Sequence, residues 1–167
     1  MADDFQLSPE KAIRLLGKLM LSWDGQWFLK TAEACGVETA VALNAKVRTS
    51  FGRIEIREFL KAKGHPGAAT VEEAIALVHE YQHLFLGDGI AAELEIEGDQ
   101  VSVLVQRCAP QRGAGKAGLR PDTPCVACDT VWNAWFETAM PGSRWATEVE
   151  AAMGRGAPSC RIVLKKE

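Results

Sequence analysis

The stretch Ala92-Glu93-Leu94-Glu95-Ile96-Glu97-Gly98-Asp99-Gln100-Val101-Ser102-Val103-Leu104-Val105 decides the fold. Successive side chains of a β-strand point to opposite faces. Ala92, Leu94 and Ile96 alternate with three glutamates, so one face is apolar and the other wet. Gly98-Asp99 supplies a turn, and Val101, Val103 and Val105 resume the period of two. Residues 90–107 are therefore expected to form a β-hairpin.

Upstream of the hairpin the period is helical. Ser8-Pro9-Glu10 reads as a helix start: a capping hydroxyl, a proline whose missing N–H costs nothing at the first position, and a carboxylate at the positive end of the dipole. Ile13, Leu16, Leu19 and Met20 follow at helical spacing. A second helix is expected from Trp23 to Ala34, ending at Gly36, and a third from Glu38 to Lys63 with a break at Gly52. Gly64-His65-Pro66-Gly67 is a turn, and Thr70 with Glu72 and Glu73 opens a fourth helix, stopped by Gly87-Asp88-Gly89.

Downstream, Pro110, Pro121, Pro124, Gly113, Gly115 and Gly118 break up residues 109–124, which are expected to be irregular. Helical signals return over 125–138 and 143–153, and Ile162 and Leu164 alternate with Arg161 and Lys165 in a closing strand. This is an α+β pattern, N-terminal helices followed by a small antiparallel sheet with helical insertions. A single domain is expected over residues 1–167, with a helical half at 1–88 and a cysteine-rich, sheet-containing half at 89–167.

Composition narrows the function classes. Of the 167 residues, 47% are hydrophobic and 25% charged, enough apolar side chain for a packed core. A net charge of −3 argues against a nucleic-acid or polybasic membrane partner. Met1-Ala2-Asp3-Asp4-Phe5 is acidic where a secretory signal is basic, and a cytoplasmic location is expected. The expected partner is a small-molecule ligand. Oligomeric state is not written in the sequence.

Five cysteines in a reducing compartment point to metal or redox chemistry more than to disulfides. Cys108 closes the hairpin, Cys125 and Cys128 form a Cys-x-x-Cys pair, and Cys160 opens the last strand. Such a pair curls two thiolates toward one ion, and two strand-end cysteines complete a tetrahedral set for zinc or an iron–sulfur cluster. Two alternatives stay open: Cys108 and Cys160 as buried small apolar side chains, or Cys125 and Cys128 as a redox thiol pair. Cys35, beside Gly36, reads as core. Trp132 and Trp135, one helical turn apart after Cys128, are candidates to bind the cofactor or wall its pocket; with Trp23 and Trp27, their spacing equally suits a core.

Two further motifs match on paper. His79-Glu80-Tyr81-Gln82-His83 is a literal H-E-x-x-H on an expected helix, the pattern of a zinc metallopeptidase with Glu80 as general base. The third ligand of the longer form is missing, since Leu86 and Gly89 stand where a glycine and a histidine belong. Gly113-Ala114-Gly115-Lys116-Ala117-Gly118 is a literal G-x-G-x-x-G, but Pro121 and Pro124 follow within six residues, so no helix of the required kind is expected to start there and a dinucleotide site is not expected.

The run Val103-Leu104-Val105-Gln106-Arg107-Cys108, with Cys125-Val126-Ala127-Cys128-Asp129, Pro141 and Gly156-Ala157-Pro158-Ser159-Cys160-Arg161-Ile162, resembles the L-2-amino-thiazoline-4-carboxylic acid hydrolase-like group. Within it the likeness is closest to an uncharacterised relative in anaerobic bacteria and archaea, through Asp24-Gly25-Gln26-Trp27-Phe28 and Phe51-Gly52-Arg53-Ile54-Glu55 as well. More distantly the chain resembles the 4-vinyl reductase domain, a small-ligand-binding α+β fold. The resemblance implies that Cys108, Cys128 and Cys160, with Cys125, are signature positions beside a small-molecule pocket. Three functions follow as expectations. The first is a metal- or iron–sulfur-binding protein with a sensing or accessory role. The second is a hydrolase of a small heterocyclic C–N bond, with Cys108 as nucleophile and Asp129 moving protons. The third is the zinc metallopeptidase.

Overall fold

The structure, a computed structural model, describes residues 7–98 and 100–167. The acidic segment Met1–Phe5 and the turn residue Asp99 lie outside the described residues. Three helices come first: α1 (Pro9–Cys35), α2 (Val37–Lys63) and α3 (Val71–Phe85). The hairpin follows as β1 (Ile90–Glu97) and β2 (Gln100–Cys108). Then come α4 (Ala109–Lys116), a 3-10 turn at Thr123–Ala127, α5 (Cys128–Ala139), β3 (Trp145–Ala151) and β4 (Cys160–Lys166). The α+β class holds.

Local signals explain most boundaries. Ser8 Oγ accepts from the Lys11 N–H at 3.4 Å, and Thr70 Oγ1 accepts from the Glu73 N–H at 3.3 Å, each satisfying a donor that its helix leaves free. Gly64 ends α2 in the left-handed conformation, and its N–H closes on Leu60 and Lys61.

Four expectations are corrected. α1 is one helix rather than two, because nothing between Met20 and Trp23 interrupts the backbone ladder. α2 runs unbroken through Gly52: the glycine admits α5, and a Cβ there would stand 3.2 Å from Trp135 Nε1. Residues 109–116 are helical, since Pro110 occupies the first turn, where it is tolerated, and Gln111, Arg112, Ala114 and Lys116 favour helix over the two glycines between them. Residues 145–151, expected as helix, form β3: Trp145, Thr147, Val149 and Ala151 turn inward and Ala146, Glu148 and Glu150 outward, a strand period that the helical reading overlooked.

The sheet has strand order β1-β2-β4-β3 and is antiparallel throughout. Val101, Val103 and Val105 of β2 stand opposite Leu164, Ile162 and Cys160 of β4. These side chains are buried and form one layer with α5 and α3, whose Val78, Tyr81, Trp132, Trp135 and Phe136 are buried as well. The edge strands each carry a bulge, between Ala91 and Ala92 in β1 and between Val149 and Ala151 in β3.

Candidate functional site

Two features meet at one end of this layer. The first is a cleft of about 1220 Å³ between α1 and the segment from α4 to the 3-10 turn, with the end of α3 as its floor on one side. Its walls are mainly apolar: Ile13, Leu21 and Phe28 from α1, Phe85 from α3, Ala114 from α4, and Pro124 and Val126 from the turn. Gly17 sets the depth on the α3 side. A Cβ at this position would come within 2.6 Å of the Phe85 carbonyl oxygen, so α1 crosses the end of α3 backbone to backbone.

Charge is placed unevenly around the cleft. Arg14 and Lys18 project from α1, Arg112 and Lys116 from α4, each pair four residues apart and thus on one helix face. Glu10 and Asp24 are the lining carboxylates, leaving the cations in excess. The sequence reading missed this rim. Its signal, two basic pairs at i, i+4 on apolar-faced helices, was legible for α1 but hidden for α4 by the assumption that residues 109–116 were irregular.

The second feature is the thiol cluster. Cys108 ends β2, Cys160 begins β4 on the neighbouring strand, Cys125 sits in the 3-10 turn and Cys128 starts α5. All are free thiols; Cys125 and Cys160 are buried and Cys108 and Cys128 half-buried. Burial pushes the Cys128 thiol up to about 12, reinforced by Cys125, Cys108, Cys160 and Asp129. Burial also raises Cys108 and Cys125, with Cys160 adding to each. The sulfurs thus share one neighbourhood. Backbone N–H groups reach three of them. The Met153 N–H donates to Cys160 Sγ at 3.3 Å, and the N–H groups of Gln111 and Gly154 offset part of the rise at Cys108 and Cys125. Gly154 touches the cluster closely, for a Cβ there would stand 2.8 Å from Cys125 Sγ.

The cluster lies behind the cleft. Ala109 and Pro110, next to Cys108, line the cleft, as do Thr123 to Ala127 on either side of Cys125 except Cys125 itself. Among the described residues, however, no three His, Cys, Asp or Glu side chains are arranged to hold a metal ion. The thiols are gathered but not closed on a common centre.

The remaining sequence candidates are placed as follows. Asp129 lies in the first turn of α5, where Oδ1 accepts from the Thr130 N–H at 2.7 Å. A raised thiol at Cys108 is a poor nucleophile at neutral pH. Trp132 and Trp135 do not line the cleft; they are core, edge-to-face at 5.2 Å, and the Trp135 indole donates to Glu55 Oε2 at 3.1 Å. Glu55 is buried and pairs with Arg48 at 3.6 Å, while Tyr81 Oη and Gln82 Nε2 are buried with no hydrogen-bond partner among the described residues. Burial and the nearby Glu55 push the Tyr81 hydroxyl far up. Cys35 is exposed rather than core, because it falls in the last turn of α1, at the end of the helix. Trp23 and Trp27 are exposed as well. His79 and His83 line a second, smaller cleft of about 300 Å³ with Glu93, Gln106 and Arg107, whereas Glu80 is drawn away into an ion pair with Lys63.

No family model and no curated protein matches the chain. Solved structures do. The chain is similar to trafficking protein particle complex subunit 3 from Naegleria fowleri, covalently bound to palmitic acid: TM-score 0.63, 14% identity, 92% of this chain and 96% of that one. It is also similar to the phenol-responsive sensory domain of the transcription activator PoxR with phenol: TM-score 0.52, 12% identity, 84% of this chain and 71% of that one. At these identities the likeness is one of fold. Among the described residues no helix is long and apolar enough to cross a membrane.

Proposed function

We propose that this chain is a ligand-binding module of sensory or carrier type. It takes an apolar organic molecule with an acidic end into the cleft between α1 and α4. The observation that carries this reading is the cleft itself: about 1220 Å³, apolar within, and rimmed by Arg14, Lys18, Arg112 and Lys116. Burying an alkyl or aryl body there gains about 0.8 kcal/mol per methylene. The rim cations hold the carboxylate where water still reaches it, so neither partner charge is stripped of solvent. The two similar structures, which hold palmitic acid and phenol, support the reading without deciding the ligand. The wall residues Ala109, Pro124, Val126 and Ala127 are chain neighbours of Cys108, Cys125 and Cys128, which gives occupancy a route to the thiol cluster.

The test is calorimetric titration with palmitate and with phenol. Palmitate is expected to bind wild-type protein, and reversal of the rim by Arg14→Glu with Arg112→Glu is expected to weaken it at least about 10-fold, the 1.4 kcal/mol that one well-placed ion pair and its inverted neighbour supply. Equal affinity of wild type and variant for palmitate sinks the charged-rim reading. Binding of neither probe sinks the cleft.

A second reading concerns the cluster, with the backbone N–H groups aimed at Cys108, Cys125 and Cys160 in its favour, since donors of this kind stabilise thiolates around a metal. Cys108, Cys125, Cys128 and Cys160 are then ligands to zinc or an iron–sulfur cluster, after side-chain rotation that closes the set. Protein prepared without oxygen is expected to carry stoichiometric zinc or iron, and Cys128→Ser or Cys160→Ser is expected to lose most of it. Metal-free native protein ends this reading and leaves four inert packing thiols, two buried and two half-buried.

A further inference from the structure

α1 is 27 residues long, and Gly17 is its one buried position among those described. A helix in water is held chiefly by the apolar face it buries, not by propensity. α1 has such a face but turns it outward. Leu16, Leu19, Trp23 and Trp27 are 65%, 55%, 66% and 60% exposed. Their spacing of three, four and four residues puts them in one row, which Met20 extends and no charged residue interrupts. The row lies on a different flank of the helix from Ile13, Gly17, Leu21 and Phe28, which face the cleft. α2, packed on α1, adds a second outward row of Leu43, Val47 and Ile54, four and seven residues apart.

The molecule's area agrees. Its accessible surface is 10158 Å², against about 8,100 Å² for a compact monomer of 18.2 kDa. That excess is spread over the whole chain, and the exposed α1 and α2 rows are part of it; a standard stable interface takes roughly 800 Å² from each partner. Exposed apolar patches above a few hundred Å² mark interaction sites.

We infer that the α1–α2 surface is a homodimer interface, on which a second copy of this chain seats the same Leu16–Trp27 row across a two-fold axis. A symmetric interface matches a patch to itself. A charge-free apolar row meets that demand with no complementary partner, and Trp23 and Trp27 in it are of the residue type that anchors such interfaces. A lipid surface is the poorer occupant. Around the row the charges are mixed, as in the Lys30–Glu33 pair, rather than the polybasic fringe that membrane-lying helices carry. The dimer also explains how α1, so lightly held by its own chain, keeps the outer wall of the cleft in place.

Sedimentation and light scattering over a wide concentration range test this, with tryptophan emission read in parallel. Wild type is expected at twice the monomer mass. Its emission is expected to shift to the red on dilution, as Trp23 and Trp27 meet water. Leu19→Glu with Trp23→Glu is expected to be monomeric with unchanged far-ultraviolet circular dichroism, and Leu84→Glu, an exposed apolar position on α3, to remain dimeric. Where the double variant does not fold, the single change Leu16→Lys is expected to weaken dimerisation at least about 10-fold, corresponding to 1.4 kcal/mol. Wild type that stays monomeric at every concentration overturns the inference. So does a dimer whose affinity neither variant changes, or one that forms only with added vesicles.

Discussion

Phe136→Ala is expected to lower the unfolding free energy by about 3–5 kcal/mol, the range for truncating a fully buried aromatic where the site cannot collapse. Phe136 has no accessible surface. Its ring lies 5.0 Å from that of Trp145 and 6.3 Å from that of Trp132, so the vacancy opens between helix α5 and strand β3, each fixed by other contacts. For a chain of this length the loss corresponds to roughly 10 °C in Tm. Thermal and urea unfolding measure it. A loss below about 1 kcal/mol, the ordinary scale of a surface or tolerant position, shows that Phe136 is not a keystone of the layer.

The second large effect comes from a charge. Arg48→Met leaves the Glu55 carboxylate buried beside the Trp135 indole without its cation. Removing one partner of a buried pair costs more than the pair is worth, because the survivor keeps its desolvation penalty. The expected loss is about 3 kcal/mol, at the low end of the usual range because the Arg48 side chain keeps 21% of its exposure and the separation is 3.6 Å. The double change Arg48→Met with Glu55→Gln is expected to recover much of it, since a neutral amide still accepts from Trp135. Denaturant unfolding of the two variants distinguishes these outcomes. A double variant no more stable than the single one means that packing, not charge, is what Arg48 supplies.

The residues that announced themselves did so through short-range chemistry. Alternation from Ala92 to Val105 located the hairpin because a half-wet sheet must alternate, and Ser8 and Thr70 marked helix starts because unpaired N–H groups need a nearby acceptor. What escaped depended on neighbours distant in sequence. Gly52 reads locally as a break, yet Trp135, 83 positions later, needs the space. Glu55 looks like any helix-surface carboxylate until α5 covers it. Residues 145–151 lean helical by composition but are pulled into the sheet by pairing with β4. At the site, the sequence gathered the four cysteines on the strength of their element ends, and the fold does bring those ends together. It could not supply the cleft, because α4 was read as loop and α1 as two separate helices. A helix pattern says that an apolar face exists, not which molecule covers it.

The bulges at the two sheet borders have a consequence for the fate of the chain at high concentration. Open hydrogen-bonding rims invite strands of other molecules to add on, the first step toward fibres. Here each rim bends out of register, and Glu93, Glu95 and Glu97 on one side and Glu148 and Glu150 on the other set like charges wherever two such rims approach. Association is thereby steered away from the strands and toward the helices, where it ends at a closed pair instead of growing without limit.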